Sequence, residues 1–373
     1  MVEASGKLRV LHLVNRWNPK GGVERFVDSL VKETSDQNDY TIASLITEVE
    51  TPTNCRKIER LLPNGQIEAM FINGKRLTRV LEQGHYDVVH IHASNGSAFY
   101  LAHLAKKAGV PRRIVHSHNT QWDKHLKTLK LCVDRLMKFL YMGSATDRWA
   151  CASGAGKFLF SDEPFQVFLN SVDSDKFRFS PQSRERIRGQ LRIGDRALLL
   201  GSMGRITSQK NPLFQLRVFA ELRNIIPGSF FCMVGSGEME GDVIRLADEL
   251  GISEDIIRVE ATSDPAAFFS AFDVLIIPSL YEGLPFTGIE AQCSGLRILA
   301  SDVMPKELAI TDCISFESLG STPRVWAEKI VQMAKRESCE RVQYAERVMN
   351  AGYDSRKCNA RIAEAYRHFG EQR

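Results

Sequence analysis

Leu8-Arg9-Val10-Leu11-His12-Leu13-Val14 is the stretch on which the fold turns, together with the residues that follow it. It is short and almost continuously apolar, as a strand buried on both faces is. Asn18-Pro19-Lys20-Gly21-Gly22 comes next and reads as a glycine-bearing loop. From Val23 to Thr34 the apolar residues Val23, Phe26, Val27, Leu30 and Val31 recur at helical spacing. Strand, glycine loop and helix in that order open a βαβ unit.

Working outward, the same alternation continues. Tyr40 to Ile46 and Asp87 to His92 read as strands, Ser97 to Ala108 as a helix that Gly109 terminates, and Arg113 to His118 as another strand. A break falls at Phe177-Arg178-Phe179-Ser180-Pro181. Beyond it the strands Ala197–Gly201, Ser229–Val234, Asp273–Ile277 and Arg297–Ala300 alternate with helices over Pro212–Asn224, Gly241–Leu250 and from Gly288. The sequence therefore predicts an α/β protein of two Rossmann-like doubly wound domains facing across a cleft. The first covers 1–178, with a C-terminal helix over 356–373 packing back on it, and the second covers 179–355. In open parallel sheets ligands sit at the carboxyl ends of the strands, so the motifs that matter are those just past each strand.

Composition narrows the class. Of 373 residues, 43% are hydrophobic and 25% charged, which suits a globular chain and excludes disorder. The eight cysteines, at 55, 132, 151, 232, 293, 313, 339 and 358, are scattered without metal-ligand spacing and read as reduced thiols. No run approaches the ~18 apolar residues of a membrane span, and Leu8–Val14 carries no cleavage site, so the expected location is cytoplasmic. The net charge of +4 is uneven, because residues 101–140 hold nine basic and two acidic side chains, more than the whole excess. Such a patch points to an anionic surface or ligand.

Three constellations carry chemistry. Pro278-Ser279-Leu280-Tyr281-Glu282-Gly283-Leu284-Pro285-Phe286-Thr287-Gly288-Ile289-Glu290 places two glutamates eight apart past a strand, with Glu290 in the following helix. A helix N-terminus there favours an anion, and a carboxylate beside it accepts hydrogen bonds from vicinal hydroxyls. Gly201-Ser202-Met203-Gly204-Arg205-Ile206-Thr207-Ser208-Gln209-Lys210-Asn211 puts Arg205 and Lys210 beside glycines that admit a phosphate. On residues alone, that pair also reads as a solvated turn. Lys20-Gly21-Gly22-Val23 lacks the full dinucleotide fingerprint, which disfavours a nicotinamide or flavin site.

These segments resemble the group 1 glycosyltransferases, the large retaining family 4 of GT-B fold, and their wording is close to members that build bacterial capsular and exopolysaccharides. The resemblance covers most of the chain. It includes Gly21-Gly22-Val23-Glu24, Val115 to Asn119, Ala150 to Ser153, Asn170 to Phe177, Gly201 to Asn211 and the E-x7-E segment. It implies that Arg205 and Lys210 hold the donor diphosphate and stabilise it as leaving group. It implies further that Gly21 and Gly22 approach the same phosphates, that His118 reaches the donor sugar near its reacting carbon, and that Glu282 belongs to the catalytic set. Gly204, Gly235, Gly237, Arg258, Gly283, Leu284, Pro285 and Glu290 complete the expected donor site. Gly235-Ser236-Gly237-Glu238 and Arg258 border the base, without distinguishing uracil from guanine. Ser171 stands where the family's N-G-x-D loop has glycine.

The implied reaction takes a sugar from a nucleotide-diphosphate sugar, UDP-sugar favoured, to a lipid-linked or saccharide acceptor. No cofactor, no metal and no nucleic acid are expected. Asp173-Ser174-Asp175 is a D-x-D string, but such strings arise by chance, and the paired histidines His90/His92 and His116/His118 read as strand residues rather than metal ligands. Asp123 to Met142 predicts an amphipathic helix with Leu126, Leu129, Val133, Leu136 and Leu140 filling a core and Lys124, Lys127, Lys130, Arg135 and Lys138 on an adjoining face. That basic face is either a solvated flank or a dock for anionic lipid on the inner face of the cell membrane. Two other functions share the fold: a nucleotide-sugar epimerase, disfavoured by the E-x7-E wording, and a non-catalytic binder of sugar nucleotides.

Overall fold

In the first half of the chain, seven parallel strands among the described residues make one sheet: β1 Leu8–Val14, β2 Asn38–Ser44, β3 Ile58–Arg60, β4 Val88–Ala93, β5 Arg112–Ser117, β6 Asp147–Ala150 and β7 Gln166–Val167. The computed structural model describes residues 6–15, 17, 21–44, 58–60, 67–93, 95–121, 128–260, 262–335 and 341–368, and only the backbone of 58–60, 67–74 and 128–130. The strand order is β3-β2-β1-β4-β5-β6-β7, so the winding reverses between β1 and β4. Helices α1 Gly22–Thr34, α2 Ile67–Gly84, α3 Ser97–Lys107, α4 Thr128–Tyr141 and α5 Ser153–Phe160 alternate with the strands. The expected apolar stripe of α1 is its buried side, through Phe26, Val27, Leu30 and Val31.

The second sheet has six parallel strands: β8 Leu199–Met203, β9 Phe230–Val234, β10 Ile256–Val259, β11 Val274–Ile277, β12 Arg297–Ser301 and β13 Ile314–Glu317, in the order β10-β9-β8-β11-β12-β13. Its reversal lies between β8 and β11. Around it lie α6 Pro181–Gln190, α7 Pro212–Ile225, α8 Glu240–Glu249, α9 Pro265–Ala271, α10 Phe286–Cys293, α11 Pro323–Lys335 and α12 Tyr344–Val348. Leu200, Leu216, Phe219, Phe231, Trp326 and Ile330 fill the core between sheet and helices. Helix α6 starts where Ser180 accepts a bond from the Ser183 amide at 3.1 Å and Pro181 supplies a fixed φ. It is then anchored by Arg184 and Arg188, 2.6 and 3.2 Å from Asp273 at the foot of β11.

The chain divides into two compact units, one formed by residues up to Asn170 and from Ser355 onward, the other by Ser171–Asp354. The boundaries fall at 170/171 and 354/355, where the sequence reading puts 178/179 and 355/356. The last helix, α13 Ser355–Ala365, belongs to the first unit. Its Asn359 amide donates to Ser29 and Glu33 of α1, both at 2.9 Å, and its Ser355 hydroxyl donates to Glu33 at 2.6 Å. From β5, the Arg112 guanidinium bonds the Ala365 carbonyl and pairs with Asp147 at 2.6 Å.

One sequence expectation is overturned. Leu136 and Leu140, expected in a core, are 51% and 53% exposed, and Phe139 beside them is 87% exposed. The reason is Asp134, which is buried and accepts a hydrogen bond from the Gly96 amide at the start of α3. The polar residue turns inward to satisfy a helix terminus, and the apolar ones turn out. Lys124, Lys127 and Leu126 lie outside the described residues, as do the side chains of Leu129 and Lys130.

Candidate active site

In the second unit the reversal of strand order brings two loops side by side. Past β8 the chain runs through Gly204 and exposed Arg205 into a short turn ending at Lys210, then enters α7 at Pro212. Past β11 it runs through Glu282 and Gly283 into α10. Backbone stitches the two, Leu280 donating to the Gln209 carbonyl at 2.8 Å. Side chains complete the join: Lys210 Nζ lies 2.5 Å from Glu282 Oε1, and Gln209 donates to Glu282 Oε2 at 3.3 Å and to the Tyr281 carbonyl at 3.0 Å. Glu282 is only 7% exposed, so its charge is held by a cation and an amide rather than by water.

The loop past β9 closes the third side. Gly204 N donates to the Val234 carbonyl and Ile206 N to the Ser236 carbonyl, both at 3.0 Å. This approach is possible only with glycine. At Gly235, φ is +138° and a Cβ would lie 2.0 Å from the Gly204 carbonyl oxygen, while at Gly237 it would lie 2.3 Å from that of Ile206. The result is a recess lined by Gly204, Arg205, Lys210, Gln215, Ser279 and Thr287, among others. Pro285 also lines it, Gly283, Leu284 and Glu290 are buried but not part of its lining, Glu290 to 1%, and Arg258 on β10 is exposed. α10 begins at Phe286, so Glu290 sits in its second turn.

In the first unit, Gly21 caps α1 with no side-chain cap bond and Gly22 is its first residue, so the positive end of the helix lies past β1. His118 follows β5 directly. Register places His12 beside His90, and His92 beside His116. Because alternate strand residues share a face, His12, His90, His92, His116 and Trp149 all point to the face covered by Phe26 of α1. Two hydrogen-bonded tracks run through the rings. His12 Nδ1 meets His92 Nε2 at 2.9 Å, and His92 Nδ1 meets His118 Nε2 at 2.9 Å. Separately, the Tyr366 hydroxyl meets His90 Nδ1 at 2.7 Å, and His90 Nε2 meets His116 Nδ1 at 3.1 Å. Burial lowers the pKa of His12 and of His118 to about 3 and pushes the other three well below the usual imidazole value, so all five are neutral.

Ring nitrogens of His12, His90 and His92, and of His92, His116 and His118, lie within 4.8 Å of one another, a spacing that would suit a metal. Most of those nitrogens are already hydrogen-bonded to another ring or to Tyr366, whereas His12 Nε2 and His116 Nε2 have no partner among the described residues. The D-x-D carboxylates are similarly occupied: Asp173 accepts from the Lys176 amide at 3.2 Å and Asp175 pairs with Arg178 at 3.3 Å. None of the described cysteines is in a disulfide, and burial raises Cys232 and Cys293 to about 12, which makes those two inert. Two residues of these networks escaped the sequence reading. Gln209 had a signal, its adjacency to Lys210. His12 had one too, a histidine inside an otherwise apolar strand.

Two parallel, doubly wound α/β units in one chain are the architecture of the GT-B fold, which the similar solved structures share. HepE from Anabaena, solved with UDP and glucose, matches 96% of this chain and 99% of its own with a TM-score of 0.79 at 16% identity. WaaG, a glycosyltransferase involved in lipopolysaccharide biosynthesis, matches with a TM-score of 0.72 over 96% of this chain and 99% of its own at 15% identity. The family model for glycosyl transferases group 1 matches residues 183–337, and that for glycosyltransferase family 4 matches 20–175. The chain belongs to this glycosyltransferase family. Among its relatives is EpsF of Bacillus subtilis (strain 168), provisionally named a glycosyltransferase, 28% identical over 97% of both chains. Another is an Escherichia coli UDP-Gal:alpha-D-GlcNAc-diphosphoundecaprenol alpha-1,3-galactosyltransferase, 27% identical over 74% of this chain and 71% of its own.

Proposed function

We propose that this glycosyltransferase takes a sugar from a UDP-sugar, retains its anomeric configuration and delivers it to a lipid-linked acceptor in surface polysaccharide assembly, without a metal. The observation that carries the reading is the Lys210–Glu282 pair at the reversal of the second sheet, with Arg205 beside it on a glycine-gapped loop. As the bond from the anomeric carbon to the phosphate oxygen breaks, negative charge grows on the diphosphate, and Arg205 and Lys210 stabilise it. The acceptor hydroxyl attacks the same face, its oxygen bonds the anomeric carbon, and its proton passes to the leaving phosphate. Two fixed cations do for this charge what a divalent ion does elsewhere. His118 and the start of α1 at Gly21 and Gly22 are assigned to the donor sugar and phosphates. A UDP donor is supported by the solved complex of HepE and by the name of the Escherichia coli relative, which also supports a lipid diphosphate acceptor.

The exposed face of α4 favours an acceptor at a membrane. Leu136, Phe139 and Leu140 are presented next to exposed Arg135, in the most basic stretch of the chain. Apolar residues flanked by cations suit the boundary of an anionic bilayer. The test is transfer of labelled sugar from UDP-sugars into a lipid extract with excess chelator present. Label in lipid under chelator supports the reading; transfer only after adding manganese, or only to soluble saccharides, refutes the metal or the lipid part.

A further inference from the structure

His12 and His92 carry no role in the chemistry described so far, yet they stand in line with the histidine that does. A neutral imidazole has one N–H, so three rings bonded end to end have only two proton arrangements. In the first, His118 Nε2–H donates to His92, His92 Nε2–H donates to His12, and His12 is left with its proton on Nε2. That nitrogen is fully buried and has no hydrogen-bond partner. An orphaned buried N–H is the rarest kind of unsatisfied group. In the second arrangement both N–H groups inside the track have acceptors, and the one N–H without a partner moves from buried His12 Nε2 to His118 Nδ1 at the partly exposed end. His12 Nδ1–H donates to His92 Nε2, His92 Nδ1–H donates to His118 Nε2, and the unpartnered atom of His12 is a bare acceptor.

We propose that His12 and His92 are positioning residues that lock His118 with its proton on Nδ1, presenting an N–H donor rather than a lone pair at the rim of the sheet. His118 Nδ1 makes no hydrogen bond among the described residues, and the residue is partly exposed, so that donor is available to a ligand. The partner it fits is a neutral or anionic oxygen, such as a sugar hydroxyl or a phosphate oxygen. The track is a dead end at His12, so it orients the ring and conducts no proton to solvent. A metal held by these ring nitrogens would break the hydrogen bonds that join them. The consequence for turnover rests on the donor-site role given to His118 above, whereas the tautomer does not.

The experiment is nitrogen-15 NMR of the histidine rings in the full chain, which distinguishes protonated from bare ring nitrogens without any substrate. His118 is expected as the Nδ1–H form, the one a free histidine side chain disfavours. In His92→Phe it should move to Nε2–H or a mixture, with kcat down by about tenfold or more and the KM for UDP-sugar little changed. His12→Phe should act in the same direction, and His12→Asn, whose amide N–H replaces the Nδ1 donor, should restore both tautomer and kcat. An Nε2–H His118 in the wild type, an unchanged tautomer in His92→Phe, or one equivalent of zinc in the purified protein would each overturn the proposal. A protein with the expected tautomer but no sugar transfer would refute the catalytic assignment and leave the track standing.

Discussion

At the scale of single residues, the Lys210–Glu282 contact has two jobs that substitutions separate. Lys210→Ala removes the cation proposed to face the diphosphate and takes the Lys210 ion pair from a nearly buried carboxylate that Gln209 also bonds. Transition-state stabilisation should fall by ~2–4 kcal/mol, which means a loss in kcat/KM of about a hundredfold or more. Glu282→Gln keeps an acceptor for Gln209 but removes the counter-charge from Lys210. Donor affinity should then rise or hold while kcat falls, because Lys210 is no longer steered; steady-state kinetics of both variants checks the pair, and near-wild-type turnover in Lys210→Ala would refute the assignment. Arg205 and Lys210 were singled out in the sequence by the family resemblance, since on residues alone the pair reads as a solvated turn, and Glu282 by the E-x7-E wording; that Lys210 and Glu282 meet is what the fold adds. His12 was not singled out, since a histidine in an apolar strand looks the same whether it fills space or orients a neighbour.

At the scale of elements, α4 shows what periodicity can and cannot tell. The spacing of Val133, Leu136 and Leu140 correctly marks one side of a helix, but it does not say whether that side faces the protein. Asp134 decides it, by meeting the amide of Gly96. Since Leu136, Phe139 and Leu140 are exposed, replacing all three with serine should leave the melting temperature nearly unchanged, each change being worth within about 0.5 kcal/mol. Association with anionic vesicles should drop, and in the wild type it should also weaken as salt rises, because the basic flank is screened beyond ~8–10 Å. Equal co-sedimentation of wild type and triple variant would show that α4 does not dock on lipid. A different element-scale test is Gly235→Ala, where a Cβ would collide with the Gly204 carbonyl. It should cost both stability and nucleotide affinity, read together by calorimetry.

At the scale of the whole molecule, alternation of short apolar runs with helical ones was enough to predict two doubly wound sheets. The sequence could not supply the order of strands, because pairing is decided by packing between segments far apart in the chain. Nucleotide recognition is also a property of the assembled sheet, and a thermal-shift comparison checks it: UDP at about a hundred times its Kd should add ~2.7 kcal/mol, and GDP much less. The two units also differ in one respect that composition hides, for all nine histidines lie in the first and residues 171–354 contain none. Four of the nine are buried and a fifth, His118, is half-buried, and desolvation lowers the pKa of all five, of His12 and His118 to about 3. Unfolded, each would bind a proton near pH 6.5. The unfolded chain therefore takes up more protons than the folded one below that value, and stability present above it is lost as the pH falls. A ring that stays neutral in the fold costs up to about 1.4 kcal/mol per pH unit below that value, so a cluster of them pulls stability down in mild acid. The first unit should thus melt in mild acid while the second still protects its amides, so that β1, β4 and β5 exchange before β8 and β11, whereas one coincident transition would contradict this. The same rings that we propose orient His118 make the first unit an acid-labile fuse.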